Sequence, residues 1–232
     1  EDLSGLHATR HHPTPGQPKQ HESHKSTNPP PLQYGLIYHI HNRGVNREPI
    51  FRGPDNYRYF LDQYTFHVGW LVDTFAYCLL GNHFHFLVRV KDQATVESYA
   101  RRQRETAAPG TVLIHYEQPP SRYFSNLFNA YARAFNKRYT RTGALFQRPF
   151  GRIPVTTNEY FAYLIVYIHQ NPQKHGFVDD YRDWPYSSYH ALAGERPTRI
   201  DRATVLEWLG GRDAFLFDHQ TDYTRREDTS GL

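Results

Sequence analysis

The spacing of apolar and polar positions predicts strands over residues 34–42, 71–79, 83–90 and 145–155 and helices over 55–68, 122–140 and 157–171, with one more helix over 201–209. In order, these elements run βαββαβ with a helix trailing. That is the ferredoxin-like α+β arrangement, an antiparallel sheet with helices packed on one face. The helix over 157–171 is given a sharp end, because Pro172 disfavours the α region for Asn171. Residues 91–121 break the pattern: they hold Arg101-Arg102-Gln103-Arg104 and the pair Pro119-Pro120, and read as an insertion or a partly mobile loop. Residues 1–32, rich in His, Pro, Ser, Lys and Gln and ending near Pro29-Pro30-Pro31, read as a disordered tail. Residues 33–192 then form the main domain and 193–232 a C-terminal extension whose role the pattern leaves open.

Composition narrows this picture modestly. The chain is long enough for one sizeable core. Its one cysteine, Cys78, falls in a strand predicted to be buried, which excludes an internal disulfide and suits a reducing cytoplasm. No run of ~18 apolar residues suggests a membrane span, and the amino end has no apolar stretch of the signal-peptide kind. A net charge of +4 and a pI near 9.1 fit a nucleic-acid partner without requiring one.

Candidate chemistry concentrates in two places. In the strand over 83–90, alternation puts His83 and His85 on one face and Phe84 and Phe86 on the other. Two adjacent nitrogen ligands can grip one metal ion. Yet the chain has 15 histidines, and a second His-x-His pair occurs at His39 and His41, so a partner is needed to single one out. Tyr167 and Asn171 lie one helical turn apart, where a phenol nucleophile and an amide oxygen would project together. Four other tyrosines, Tyr131, Tyr139, Tyr160 and Tyr163, have Phe135, Gly143, Leu164 and Tyr167 at that spacing, none a good ligand. Tyr99 with Gln103 is a rival set in an arginine-rich stretch with little apolar backing. Spacing alone does not distinguish Tyr167 from an ordinary core aromatic in a chain with 18 tyrosines.

Five ordered blocks carry a resemblance. Ala76-Tyr77-Cys78-Leu79-Leu80-Gly81-Asn82-His83-Phe84-His85-Phe86-Leu87-Val88 resembles the HUH motif of the single-tyrosine transposases of bacterial insertion sequences, above all the REP-associated tyrosine transposases. The other blocks are Tyr38-His39-Ile40-His41-Asn42-Arg43-Gly44 with Pro49-Ile50-Phe51, Tyr139 through Gln147, Tyr167 through Pro172 with His175-Gly176, and Asp183-Trp184-Pro185-Tyr186-Ser187-Ser188-Tyr189. Together they span residues 34–192. Leu80-Gly81 stands where the family has Met-Pro, and this chain contains no methionine.

The resemblance implies a mechanism and its residues. His83, His85 and Asn171 would hold Mg²⁺ or Mn²⁺, which polarises the scissile phosphate of single-stranded DNA. Tyr167 would attack, leaving a 5′-phosphotyrosine and a free 3′-hydroxyl. A phenolate, with a free pKa near ~10, leaves well enough for another 3′-hydroxyl to reverse the step and join strands without ATP. The implied substrate is a short hairpin-forming repeat, the implied location a bacterial cytoplasm at the nucleoid, and the chain a monomer or a homodimer. For contacts to DNA phosphate, Arg43 and Arg47 follow the first strand, Arg133, Lys137 and Arg141 recur every fourth residue, and Arg148 and Arg152 sit by the last strand. A solvated charged face is the plain alternative for each run. Two other functions stay open: a domesticated protein that binds hairpins without cutting, and a replication initiator or relaxase of the wider HUH group.

Overall fold

The computed structural model describes residues 29–221 apart from 109, 112, 115 and 116. The tail expected over 1–32 lies, except for its last four residues, outside them, as do residues 222–232. Four strands form an antiparallel sheet in the order β2-β3-β1-β4, from β1 (Ile37–Arg43), β2 (Val72–Leu79), β3 (His83–Val90) and β4 (Gly151–Pro154). Between them come α1 (Pro54–His67), α2 (Gln93–Thr106) and α3 (Pro120–Arg138). After β4 follow α4 (Asn158–Lys174), α5 (Tyr189–Ala193), α6 (Arg202–Leu209) and α7 (Arg212–Asp218). This is the ferredoxin-like α+β order expected from the sequence, with α2 added.

Each face of the sheet meets a different layer. Tyr38, Ile40, Phe84, Phe86 and Val88 point into a core closed by α1 and α3, whose Tyr57, Phe60, Tyr64, Phe124, Leu127 and Tyr131 recur at helical spacing. Proline at the first turn of both helices sets their starts. On the opposite face Leu87 and Cys78 meet Leu164, Ile165 and Ile168 of α4. Leu192, Val205 and Phe215 of α5, α6 and α7 are buried in that same second core, so residues beyond 193 pack against the helix that carries Tyr167.

Three expectations about elements change. Residues 93–106, within the stretch read as an insertion or mobile loop, form α2. Its start is capped by Asp92, which accepts from Thr95 N–H at 2.8 Å, but only Val96 and Ala100 are buried, so apolar periodicity is nearly absent. The strand expected over 145–155 is reduced to β4. Phe146 only bridges Gly44, and Pro149, which has no N–H to donate, interrupts the ladder before Gly151. The helix expected to stop at Asn171 runs on to Lys174. Pro172 removes one helical donor, but the last turn is held by His175 N–H on Asn171 O at 3.0 Å, by Phe177 N–H on Pro172 O at 2.9 Å, and by burial through Pro172 itself.

The Asp183–Tyr189 block is a strap along the edge of β2. Leu79 N–H bonds Tyr186 O and Ser188 N–H bonds Tyr77 O, both at 2.9 Å, while Trp184 Nε1–H donates to Leu79 O at 2.9 Å. Tyr186 stacks on Tyr57 of α1 with ring centroids 3.6 Å apart.

Candidate active site

The register of β1 against β3 gathers the histidines. His41 faces His85, Arg43 faces His83 and His39 faces Leu87, so all four imidazoles of the two His-x-His pairs share the face covered by α4. His83 and His85 are 2% and 0% exposed, with ring centroids 5.2 Å apart and planes nearly perpendicular. Gly151 on β4 makes this crowding tolerable: a β-carbon there would lie 2.1 Å from Cε1 and Nε2 of His41.

From above, α4 brings down the tyrosine. The Tyr167 ring centroid is 5.7 Å from that of His85 and 6.4 Å from that of His39, both edge-on. Asn171, fully buried, donates from Nδ2 to the Tyr167 carbonyl at 2.8 Å, which turns its Oδ1 the other way. That oxygen and Nε2 of His85 are buried with no hydrogen-bond partner among the described residues. Such atoms are rare in a folded interior unless something else satisfies them. Because α4 continues past Pro172, Lys174 reaches the same face one turn on, its Nζ 5.3 Å from the Tyr167 ring centroid.

Tautomers follow from the neighbours. Nδ1 of His83 is 2.7 Å from Asn82 Oδ1, an atom that can only accept, so Nδ1 carries the proton and Nε2 a lone pair. Nδ1 of His85 is 2.9 Å from Nε2 of His39. Burial, with His39, His83, His41 and His175 adding to it, holds the His85 pKa well below the usual imidazole range, so it is neutral at pH 7. Among the described residues no group of three or more His, Cys, Asp and Glu side chains is disposed to hold a metal ion. Imidazole nitrogens and an amide oxygen such as that of Asn171 are donor types that a divalent cation could accept.

Behind α4, on the side away from Tyr167, a second histidine pair is fully enclosed. Nε2 of His169 meets Ser188 Oγ at 2.8 Å, Nδ1 of His169 meets Nε2 of His219 at 2.8 Å, and Nδ1 of His219 reaches the Phe215 carbonyl at 2.7 Å. Gln170 adds a bond from Nε2 to Thr221 O at 2.8 Å. These bonds tie α7 to α4.

The predicted basic residues divide by setting. Arg47, Arg133, Lys137 and Arg148 are exposed, and Arg43 is half-buried opposite His83 at the end of β1. Arg141 lies beyond α3 rather than on a stripe along it, and both Nε and Nη2 engage Glu48 Oε2, at 3.2 and 2.8 Å. Arg152 is half-buried over the Phe150 ring, its Nη2 is 3.3 Å from Pro29 O, and burial lowers its pKa. The rival pair Tyr99 and Gln103 sits on α2, where Tyr99 is exposed and stacks with Trp70, while Gln103 Oε1 accepts from Ile114 N–H. Sequence reasoning noted His39 and His41 only as a second His-x-His pair and passed over Lys174. His39 is two residues from His41 on a strand paired with β3, and Lys174 is seven residues after Tyr167; both spacings were legible.

Fold and site together define a ferredoxin-like sheet on which a His-x-His pair lies on the face covered by a helix carrying a tyrosine. Over 121 residues the chain is 31% identical to a putative REP-associated tyrosine transposase of Haemophilus influenzae; the match covers 51% of this chain and 59% of that protein. That relative bears the family name to which the five sequence blocks pointed. Among solved structures, a REP-associated tyrosine transposase bound to a REP hairpin matches with a TM-score of 0.49 and 16% identity, over 72% of this chain and 84% of that one. No family model matches the chain. Among the described residues no helix is long and apolar enough to cross a membrane.

Proposed function

We propose that this chain is a REP-associated tyrosine transposase: a metal-dependent enzyme that nicks and rejoins single-stranded DNA at hairpin-forming repeats. The observation that carries the reading is the approach of the Tyr167 ring to His85, 5.7 Å between centroids, with Asn171 one helical turn on and its Oδ1, like Nε2 of His85, buried with no hydrogen-bond partner among the described residues. His83 and His85, through Nε2, and Asn171, through Oδ1, would hold Mg²⁺ or Mn²⁺, which supplies Lewis acidity toward a phosphate oxygen. Tyr167 Oη forms a bond to phosphorus as the bond from phosphorus to the 3′-oxygen breaks, leaving a 5′-phosphotyrosine and a 3′-hydroxyl. Attack by a 3′-hydroxyl on that ester returns the phenol and joins the strands. Lys174 places positive charge over the Tyr167 ring, which favours the incoming phosphate. Arg43, Arg47, Arg133, Lys137 and Arg148 would guide the strand, with Arg141 and Arg152 as lesser contacts already engaged within the protein.

Incubation with Mn²⁺ and labelled single-stranded hairpin oligonucleotides tests this. A covalent adduct is expected, absent in Tyr167→Phe and in His83→Ala. An adduct that survives Tyr167→Phe removes that residue from the chemistry. Tight hairpin binding with no adduct under any of these conditions selects the non-cleaving hairpin-binding protein instead.

A further inference from the structure

We infer that His39 is a positioning residue that fixes the tautomer of His85 and thereby presents Nε2 of His85 as a metal ligand; this rests on the proposed role of His85. His39 is 1% exposed on β1, and its Nε2 lies 2.9 Å from Nδ1 of His85, with the two rings inclined by only 21°. One proton is shared in that contact. If His85 supplies it, Nε2 of His85 keeps a lone pair that a cation can satisfy. If His39 supplies it, Nε2 of His85 carries a hydrogen, which repels a cation. Only the first arrangement is compatible with ligation, and it needs an acceptor where His39 stands. The neighbouring carboxylate or carbonyl that usually orients a metal-bound imidazole is here another imidazole.

His83 is oriented separately, by Asn82 Oδ1, so the two ligands depend on different supports and can be perturbed independently. The Tyr167 ring also lies edge-on to His39, so a change in side-chain size at 39 risks moving the nucleophile. For that reason the test does not rely on activity.

Mn²⁺ affinity is measured by electron paramagnetic resonance on the full chain, wild type and the variants His39→Leu, His39→Gln and His83→Ala, and the His85 ring nitrogens are read by ¹⁵N chemical shift without metal. The expected result is a loss of about 10–100-fold in Mn²⁺ affinity for His39→Leu, the range for removing such a supporting bond. His39→Gln, whose amide oxygen can accept the same proton, should recover most of it, with His85 protonated on Nδ1 in wild type and in the Gln variant. Unchanged affinity in His39→Leu beside lost affinity in His83→Ala overturns the inference and leaves the metal reading standing. A wild-type His85 protonated on Nε2 overturns it whatever the metal does. Absence of Mn²⁺ binding in wild type overturns both. Should His39→Leu fail to fold, the nitrogen shifts of wild type and the Gln variant decide.

Discussion

Replacing Ser188 with alanine probes how α4 is fastened from behind. The Phe215 carbonyl can only accept, so His219 donates from Nδ1 and accepts at Nε2. His169 therefore donates from Nδ1 and accepts at Nε2, and Ser188 gives its hydroxyl hydrogen to His169 while accepting from Tyr77 N–H at 2.8 Å. Alanine leaves two groups without partners, Tyr77 N–H and His169 Nε2; the Tyr77 carbonyl keeps its bond from Ser188 N–H. Each unsatisfied buried group costs about 1–3 kcal/mol, so about 3 kcal/mol is expected for the pair, one being only partly buried. At roughly 2–4 °C per kcal/mol for a chain of this size, the melting temperature should fall by about 6–12 °C. Urea unfolding followed by circular dichroism, with an unchanged denaturant slope, gives the free energy directly. A loss below ~1 kcal/mol would mean that the hydrogen-bonded chain from Tyr77 to Phe215 is not formed as drawn.

The same histidines set an acid limit. Burial pushes the His219 pKa down to about 4 from an ordinary value near 6.5, so the unfolded chain binds the proton first. Stability should be full above pH ~6.5 and fall as the pH drops from there to about 4; a flat urea midpoint across that window refutes the shift. Gly151→Ala should drive the His41 ring out of place and cost about 1–3 kcal/mol in stability; wild-type stability would show that His41 has room to spare. Lys137→Ala should flatten the salt dependence of DNA binding by roughly one counterion. Arg141→Ala should flatten it by less, since Glu48 already neutralises that guanidinium; equal slopes for the two variants would show that DNA displaces Glu48.

What the sequence disclosed and what it hid follow from range. Alternation in β3 and the helical spacing of Tyr167 and Asn171 are local, and both elements lie where the pattern put them. Helix α2 was hidden because its exposed arginines leave almost no apolar stripe, although the Asp92 to Thr95 cap was there to be read. Continuation of α4 past Pro172 was hidden because the local cost of proline is outweighed by tertiary burial of that turn. The bond between His39 and His85 depends on strand register, which no one-dimensional period reports. His169 was passed over for a related reason: a polar residue in a buried helix is explained only by partners from α7 and from the strap after Asp183.

That strap also bears on how the molecule behaves in company. A sheet's outermost strand is an open template onto which a foreign strand can be laid, and many folds blunt it with charge or proline. Here residues 186–188 already occupy the backbone groups of Leu79 and Tyr77, and the aromatic stack of Tyr186 on Tyr57 clamps the occupant in place. An intruding polypeptide would have to peel away the chain's own segment, breaking the Ser188 contact to His169 as it went. Resistance to aggregation at that margin and correct seating of α4 are thus guarded by the same few residues.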